Sequence, residues 1–366
     1  MILLNPGPVT LSPRVRAALG RGDWCHREPE FAALVRSINE RLAAVYPDMA
    51  GRYEAVLLTG SGTAAVEAML ATFAPREQRT LVLANGVYGE RIAAMLAAHG
   101  RPHELLAGDW TAAVDLAALE QRLAADPMLR HVAVVQHETT TGRLTDLAAI
   151  GALCRRFGAR LLLDAVSSFG AEHIDATAWN LQALAGTANK CLHGVPGLAF
   201  VLAERAAWAA PKPGAGSLYL DLRPYHRAQH GDGYSPFTQA VQVAFALDEA
   251  LREHAEAGGW QARQRLYRER AARVHCVLAE LGLAALLPEA ECSCVLRSYR
   301  VPAWTDYARL HAALKARGFV IYAGQGRLAP AIFRIAVMGD LTPDDLTRLG
   351  QALTAARAGG AAAPGP

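Results

Sequence analysis

Short apolar runs alternate along this chain with stretches whose apolar residues recur at helical spacing. Ala55-Val56-Leu57-Leu58-Thr59 reads as a strand and residues 63–73 as a helix. Thr80-Leu81-Val82-Leu83-Ala84 predicts the next strand, followed by a helix over 89–99. The pattern returns in His131-Val132-Ala133-Val134-Val135-Gln136 with a helix over 147–157, and again in Leu161-Leu162-Leu163-Asp164-Ala165. Gly197-Leu198-Ala199-Phe200-Val201-Leu202 is a further apolar strand. Near-continuous apolar strands alternating with helices predict an α/β fold, with a mainly parallel sheet covered by helices on both faces.

A helical pattern over 237–254 marks the exit from this large domain. Beyond it the spacing predicts helices over 260–281, 305–317 and 342–356, and strands near 293–297, 320–322 and 332–335. Strict βαβ spacing is absent there, which predicts a smaller α+β domain. The expected organisation is a large domain over 14–255, a small domain from 1–13 and 256–356, and a disordered tail over 357–366 rich in Ala, Gly and Pro.

Composition narrows the partners. A chain of 366 residues, 52% of them hydrophobic, can bury two cores. A net charge of +3 carries no nucleic-acid footprint, and no stretch has the length and purity of a membrane span. The first residues, Met1-Ile2-Leu3-Leu4-Asn5-Pro6-Gly7-Pro8, lack the basic region of a signal peptide. The six cysteines show no zinc spacing, and Cys292-Ser293-Cys294 is one residue too short for a CxxC motif. Reduced thiols and a cytoplasmic location are expected.

The candidate chemistry centres on Lys190, in Ala188-Asn189-Lys190-Cys191, and on Asp164 at the end of a leucine-rich strand. A charged acid after three leucines needs a cationic partner. A lysine on a small-residue turn, one βα unit after such an acid, suits pyridoxal 5′-phosphate: the lysine anchors the aldehyde and the acid pairs with the protonated pyridine nitrogen. Thr59-Gly60-Ser61-Gly62-Thr63 opens a helix, either as a phosphate cradle or as a tight turn with a hydroxyl cap. Tyr88, in Asn85-Gly86-Val87-Tyr88-Gly89, could stack on a flat ring or simply cover the sheet end. In His137-Glu138-Thr139-Thr140-Thr141-Gly142 a hydroxyl could reach a ligand or close its own turn. His137 and Glu138 have no second ligand at helical spacing, so no metal is expected. Arg334 inside Phe333-Arg334-Ile335 requires either a bound anion or a buried salt bridge.

Taken in order, these stretches resemble the class V aminotransferases of PLP fold type I, with the closest likeness to the branch acting on 2-aminoethylphosphonate and pyruvate. The likeness runs from Leu3-Leu4-Asn5-Pro6-Gly7-Pro8 to Phe333-Arg334-Ile335 and includes Gly318-Phe319-Val320-Ile321-Tyr322. It implies Lys190 as covalent anchor and proton carrier, Asp164 as pyridinium partner, Tyr88 as stacking ring and Thr139 as donor to the phenolate oxygen. It further implies Ser61, Gly62, Thr63 and Asn189 on the phosphate side, and Arg334 as the substrate anion clamp. Small amine and keto-acid substrates and a homodimer follow from the same likeness. The position where the family carries a cross-subunit threonine is Tyr234 here, with Ser235 and Thr238 as other hydroxyls nearby. A doubly charged phosphonate needs more than one cation or N–H cluster, so a second group is expected near Arg334, for which Arg27, among polar residues near the N-terminus, is the candidate. The alternative substrates are alanine with glyoxylate or serine with pyruvate. A cysteine desulfurase would need a serine-rich cysteine loop, and a PLP-binding regulatory module would carry a partner domain. Neither feature is visible.

Overall fold

The computed structural model of the chain describes residues 1–209 and 215–361. Its central sheet has seven strands: β1 (Tyr53–Gly60), β2 (Arg79–Ala84), β3 (His103–Ala107), β4 (Leu129–Val135), β5 (Arg160–Asp164), β6 (Leu181–Thr187) and β7 (Gly197–Glu204). Their order is β1-β7-β6-β5-β4-β2-β3. Only β7 runs against the others, pairing antiparallel with both β1 and β6. The period of two along each strand divides the residues between two cores. Leu57, Leu83, Val134 and Leu163 face one side, and their neighbours Val56, Val82, Ala133 and Leu162 the other.

Helices cover both faces, as the apolar strands require. The helices that position the site are α1 (Pro29–Ala43), α2 (Gly62–Phe73), α3 (Val87–Ala98), α4 (Leu147–Phe157), α5 (Leu222–His230), α6 (Val241–Glu256) and α7 (Gly259–Glu280). Phe31, Val35 and Ile38 of α1, Ile150 of α4 and Phe245 of α6 fill the first core. Val66 and Met69 of α2, with Ile92 and Leu96 of α3, fill the second. Helix α5 closes the outer edge of β1. Gln229 donates to the Leu57 carbonyl at 2.7 Å and accepts from the Leu57 N–H at 2.9 Å, so one side chain supplies the ladder bonds that an edge strand lacks.

A third core joins both ends of the chain. Leu4 and Val9 pack there with Tyr267 and Leu278 of α7, and with residues of β8 (Leu296–Arg300) and β10 (Ile332–Ala336). Strand β9 (Tyr322–Ala323) pairs antiparallel with β10, and Ile2–Leu3 pairs parallel with Phe319–Val320. Glu172, buried, accepts from the Ser293 hydroxyl at 2.6 Å, the Cys294 N–H at 2.8 Å and the Gln264 amide at 3.1 Å.

Several elements differ from the sequence reading. Strand β6 was not expected, because Leu181-Gln182-Ala183-Leu184-Ala185-Gly186-Thr187 contains a polar residue and few β-branched ones. All seven of its residues are buried, Gln182 is paired with His131 at 2.7 Å, and Gly186 makes room for the Phe200 ring on β7. The helix expected from residue 237 begins at Val241. Ahead of it, the Gln239 amide donates to Ser235 Oγ and the Ala240 N–H to Thr59 Oγ1, which holds this stretch in a non-helical course. The last helix, α8, spans Pro343–Ala361 and so runs into the tail expected to be disordered, continuing through Gly359 and Gly360 despite their low helix propensity. Residues 362–366 of that tail lie outside the described residues.

Candidate active site

The carboxyl ends of β1, β2, β4, β5 and β6 meet the start of β7, and the chemistry-bearing residues sit at this rim. Asp164 ends β5. It is buried, and its Oδ1 accepts the Val166 N–H at 2.9 Å. Burial pushes its carboxyl up to about 6, against the pull of that N–H and of the Lys190 charge. Lys190 lies on the turn after β6. Thr187 Oγ1 donates to Asn189 Oδ1 at 2.8 Å, and the His193 N–H donates to the Lys190 carbonyl at 2.9 Å, closing the turn with His193 at φ +65°. The Lys190 amine donates to the Pro6 carbonyl. Gly7, at φ +119°, passes so close that a Cβ there would stand 2.7 Å from Lys190 Cδ. Burial brings the Lys190 amine down to about 8, the Arg334 charge adding to the effect and Asp164 opposing it.

Helix α2 begins beside this pair. Ser61 caps it by accepting the Ala64 N–H at 3.3 Å, while Ser61 and Thr63 remain exposed. Gly62 is sandwiched: a Cβ would lie 2.7 Å from Val166 Cγ1 and 3.3 Å from Thr187 Cβ. Ser61, Gly62, Thr63, Tyr88, Asn189 and Lys190 line one open cleft of about 470 Å³, within the usual range for small-molecule sites. Tyr88, Thr63, Val166 and Asp164 share an adjoining recess.

Tyr88 is held by an acid. It lies in the first turn of α3, which starts earlier than the pattern indicated because Glu138 caps it. One Glu138 oxygen accepts the Tyr88 and Gly89 N–H groups at 3.2 and 3.3 Å, and the other takes the Thr140 N–H and hydroxyl. Glu138 therefore belongs to the frame of the site. His137 turns away, with Nδ1 3.1 Å from the Ser167 carbonyl.

Arg334 is fully buried on β10. Its Nε donates to the Ala323 carbonyl at 2.8 Å, and Nη1 to the Thr139 carbonyl at 2.8 Å and to Gln325 Oε1 at 3.1 Å. Its Nη2 is buried with no partner among the described residues, and none of their carboxylates forms an ion pair with this guanidinium. Of the two sequence readings, an anion site rather than an internal salt bridge fits this geometry. Thr139 is thus joined to Arg334 through its backbone.

Two expected residues are not brought to the cleft within one chain. Arg27 is exposed in the turn before α1, and none of the contacts of Arg334 involves it. Tyr234 is half-buried in the 231–239 segment, where its N–H bonds Asp232. Ser235 is buried, with its Oγ engaged by Gln229 and Gln239, whereas Thr238 is exposed. Conversely, Arg91 was missed. It lines the cleft, lies 4.8 Å over the Tyr88 ring and reaches Thr63 Oγ1 at 3.4 Å. Its position three residues after Tyr88, on the same helix face, was the available signal. Gln325 carried no signal, because only the fold brings its loop to Arg334.

These residues fit pyridoxal 5′-phosphate. Asp164 is a buried acid short of a cation, the capped start of α2 offers N–H groups to a phosphate, Tyr88 flanks the space between them, and Lys190 closes it. Known proteins agree. The class-V aminotransferase family model matches residues 16–347. A 2-aminoethylphosphonate–pyruvate transaminase of Pseudomonas putida (strain GB-1) is 37% identical over 347 residues, covering 94% of each chain. One from Aeromonas hydrophila is 40% identical over 349 residues, covering 93% of this chain and 91% of the relative. Among solved structures, an aspartate aminotransferase of subgroup IV from Thermus thermophilus superposes with a TM-score of 0.89 at 26% identity, covering 98% and 99% of the two chains. An alanine–glyoxylate aminotransferase from Nostoc sp. gives a TM-score of 0.89 at 25% identity, covering 97% and 94%. The chain belongs to the class V aminotransferases, of PLP fold type I, and its cofactor is pyridoxal 5′-phosphate.

Proposed function

We propose that this enzyme interconverts 2-aminoethylphosphonate and pyruvate with phosphonoacetaldehyde and alanine. The observation that carries this reading is the buried Arg334, whose Nη2 has no partner among the described residues and which lies within electrostatic reach of Lys190. Relatives at 37–40% identity over nearly the whole chain bear that activity in their names. Bound pyridoxal 5′-phosphate supplies an aldehyde that exchanges amines and a ring that accepts electrons. Lys190, with its amine near 8, is partly neutral at physiological pH and can take the proton from the amine-bearing carbon. Asp164 holds the proton on the ring nitrogen. Tyr88 covers one ring face, and Ser61, Gly62, Thr63 and Asn189 receive the phosphate. Thr139 is poised to donate to the phenolate oxygen. Arg334 orients phosphonate or carboxylate in turn, since both substrates carry an anion.

A homodimer completes the site in this reading, through the hydroxyls of Tyr234 or Thr238 in the 231–239 segment. A cytoplasmic location is supported by six cysteines that are all free, and no helix among the described residues is long and apolar enough to cross a membrane. The decisive experiment is a donor panel with pyruvate and glyoxylate as acceptors, with a separate sample treated with borohydride to fix the cofactor to the protein for peptide mapping. 2-Aminoethylphosphonate with pyruvate should dominate, and the label should sit on Lys190. Brisk alanine–glyoxylate exchange without phosphonate turnover would favour the alternative substrates and leave the family intact.

A further inference from the structure

A second cluster of titratable side chains lies at the other end of β1. Glu54 stands near the start of that strand, away from Gly60 and the cleft. His226 and His230 occupy α5 at i and i+4, on one helix face. One ligand-capable atom from each of Glu54, His226 and His230 lies within 4.8 Å of the others. We propose that Glu54, His226 and His230 form a binding site for a divalent first-row transition cation of the zinc class. Two imidazoles and one carboxylate are a three-ligand set that leaves a fourth position for water.

The surroundings orient all three groups. Arg205 Nε holds Glu54 Oε1 at 3.0 Å, which leaves Oε2 turned to His226 Nε2 at 2.7 Å. Trp208 stacks flat on His226, with ring centroids 4.5 Å apart and planes at 10°, and its indole N–H donates to the Glu54 carbonyl at 3.3 Å. His230 Nε2 is 2.8 Å from the Ala55 carbonyl, so this nitrogen carries the proton and Nδ1 keeps a lone pair. A bound cation exchanges the His226–Glu54 hydrogen bond for two metal bonds, the His226 proton passing from Nε2 to Nδ1, or the ring turning so that its unprotonated Nδ1 binds. It pins α5 to β1 and so fixes the helix that leads into the 231–239 segment. This site is independent of the transamination reading.

The test titrates the EDTA-treated holoenzyme with zinc chloride by calorimetry and follows thermal unfolding in parallel. The parent should bind one zinc at micromolar or lower concentration and unfold at a higher temperature with it. H226N and H230N should each bind at least about tenfold more weakly. E54Q keeps an acceptor for His226 and should also lose the zinc-dependent shift, which covers the case in which a histidine variant folds poorly. H311N, outside the cluster, should match the parent. Absence of zinc binding by the parent at micromolar free metal overturns the proposal. So does equal affinity in H226N, H230N and E54Q, which would send the metal to other groups such as the exposed Cys25 or Cys276.

Discussion

At the residue scale, the site stores unfavourable electrostatics that a cofactor would relieve. Asp164 lies near 6 when folded, against an ordinary 3.8. Between those values the folded protein binds more protons than the unfolded one. Its penalty is therefore full above pH 6 and is relieved as pH falls toward 3.8. Lys190, lowered from 10.5 to about 8, carries the opposite dependence: its penalty is full below pH 8 and fades as pH rises toward 10.5. Asp164→Asn should thus stabilise the cofactor-free protein at pH 7 by up to about 3 kcal/mol, read from urea unfolding. The same variant should lose most turnover once cofactor is bound. A destabilised apo-variant would show that the carboxylate has a partner already. Arg334 is predicted to matter to both half-reactions. Arg334→Ala should lower kcat/KM for the phosphonate donor and the keto acid alike, by about 3 kcal/mol or more if the fork is desolvated in the complex. Arg334→Lys should recover little, because the bonds to Ala323 and Thr139 use the fork geometry. Loss confined to one substrate would remove Arg334 from its double role.

At the element scale, close approach of α2 to the ends of β5 and β6 decides where the phosphate end of the cleft sits. The added methyl of Gly62→Ala meets Val166 Cγ1 at 2.7 Å and Thr187 Cβ at 3.3 Å. Helix α2 must then shift, at about 1–3 kcal/mol, and its N–H groups move with it. Cofactor should dissociate faster from this variant, measured by loss of absorbance on gel filtration. Val166→Ala in the same chain removes the nearer contact and should restore much of the retention. If the double variant loses cofactor as fast as the single one, the crowding argument fails. A comparable tie exists at α3, where Glu138 caps the first turn and thereby sets Tyr88. Sequence reasoning weighed Glu138 as a metal ligand and discarded it, but the capping role needs strand and helix side by side to be seen.

At the scale of the whole molecule, the large and small sheets meet beside the cleft, with Lys190 after a strand of the large sheet lining it and Arg334 of the small sheet within electrostatic reach of Lys190. Glu172 and the Pro6–Lys190 contact tie them. The 231–239 segment should meet a second subunit. Thr238→Ala or Tyr234→Phe should then weaken cofactor retention in a protein that sediments as a dimer, and an active monomer by light scattering would rule this out. Much of the site was legible in the chain. Asp164 after three leucines, the glycine–hydroxyl loop and Lys190 on its small-residue turn each announce a local chemical need, and local needs are written in local sequence. The alternation of apolar runs likewise determined the α/β class, because an apolar strand must be covered on both faces. Tertiary structure decided what depends on distant neighbours. Strand β6 exists because Gly186 admits Phe200 and Gln182 meets His131, neither of which its own composition indicates. The start of α6 waited on a bond from Ala240 to Thr59, 181 residues away. Arg91 and Gln325 joined the candidate site, while Arg27 stayed at the surface, because which polar groups converge on an anion is fixed by tertiary packing rather than by spacing along the chain.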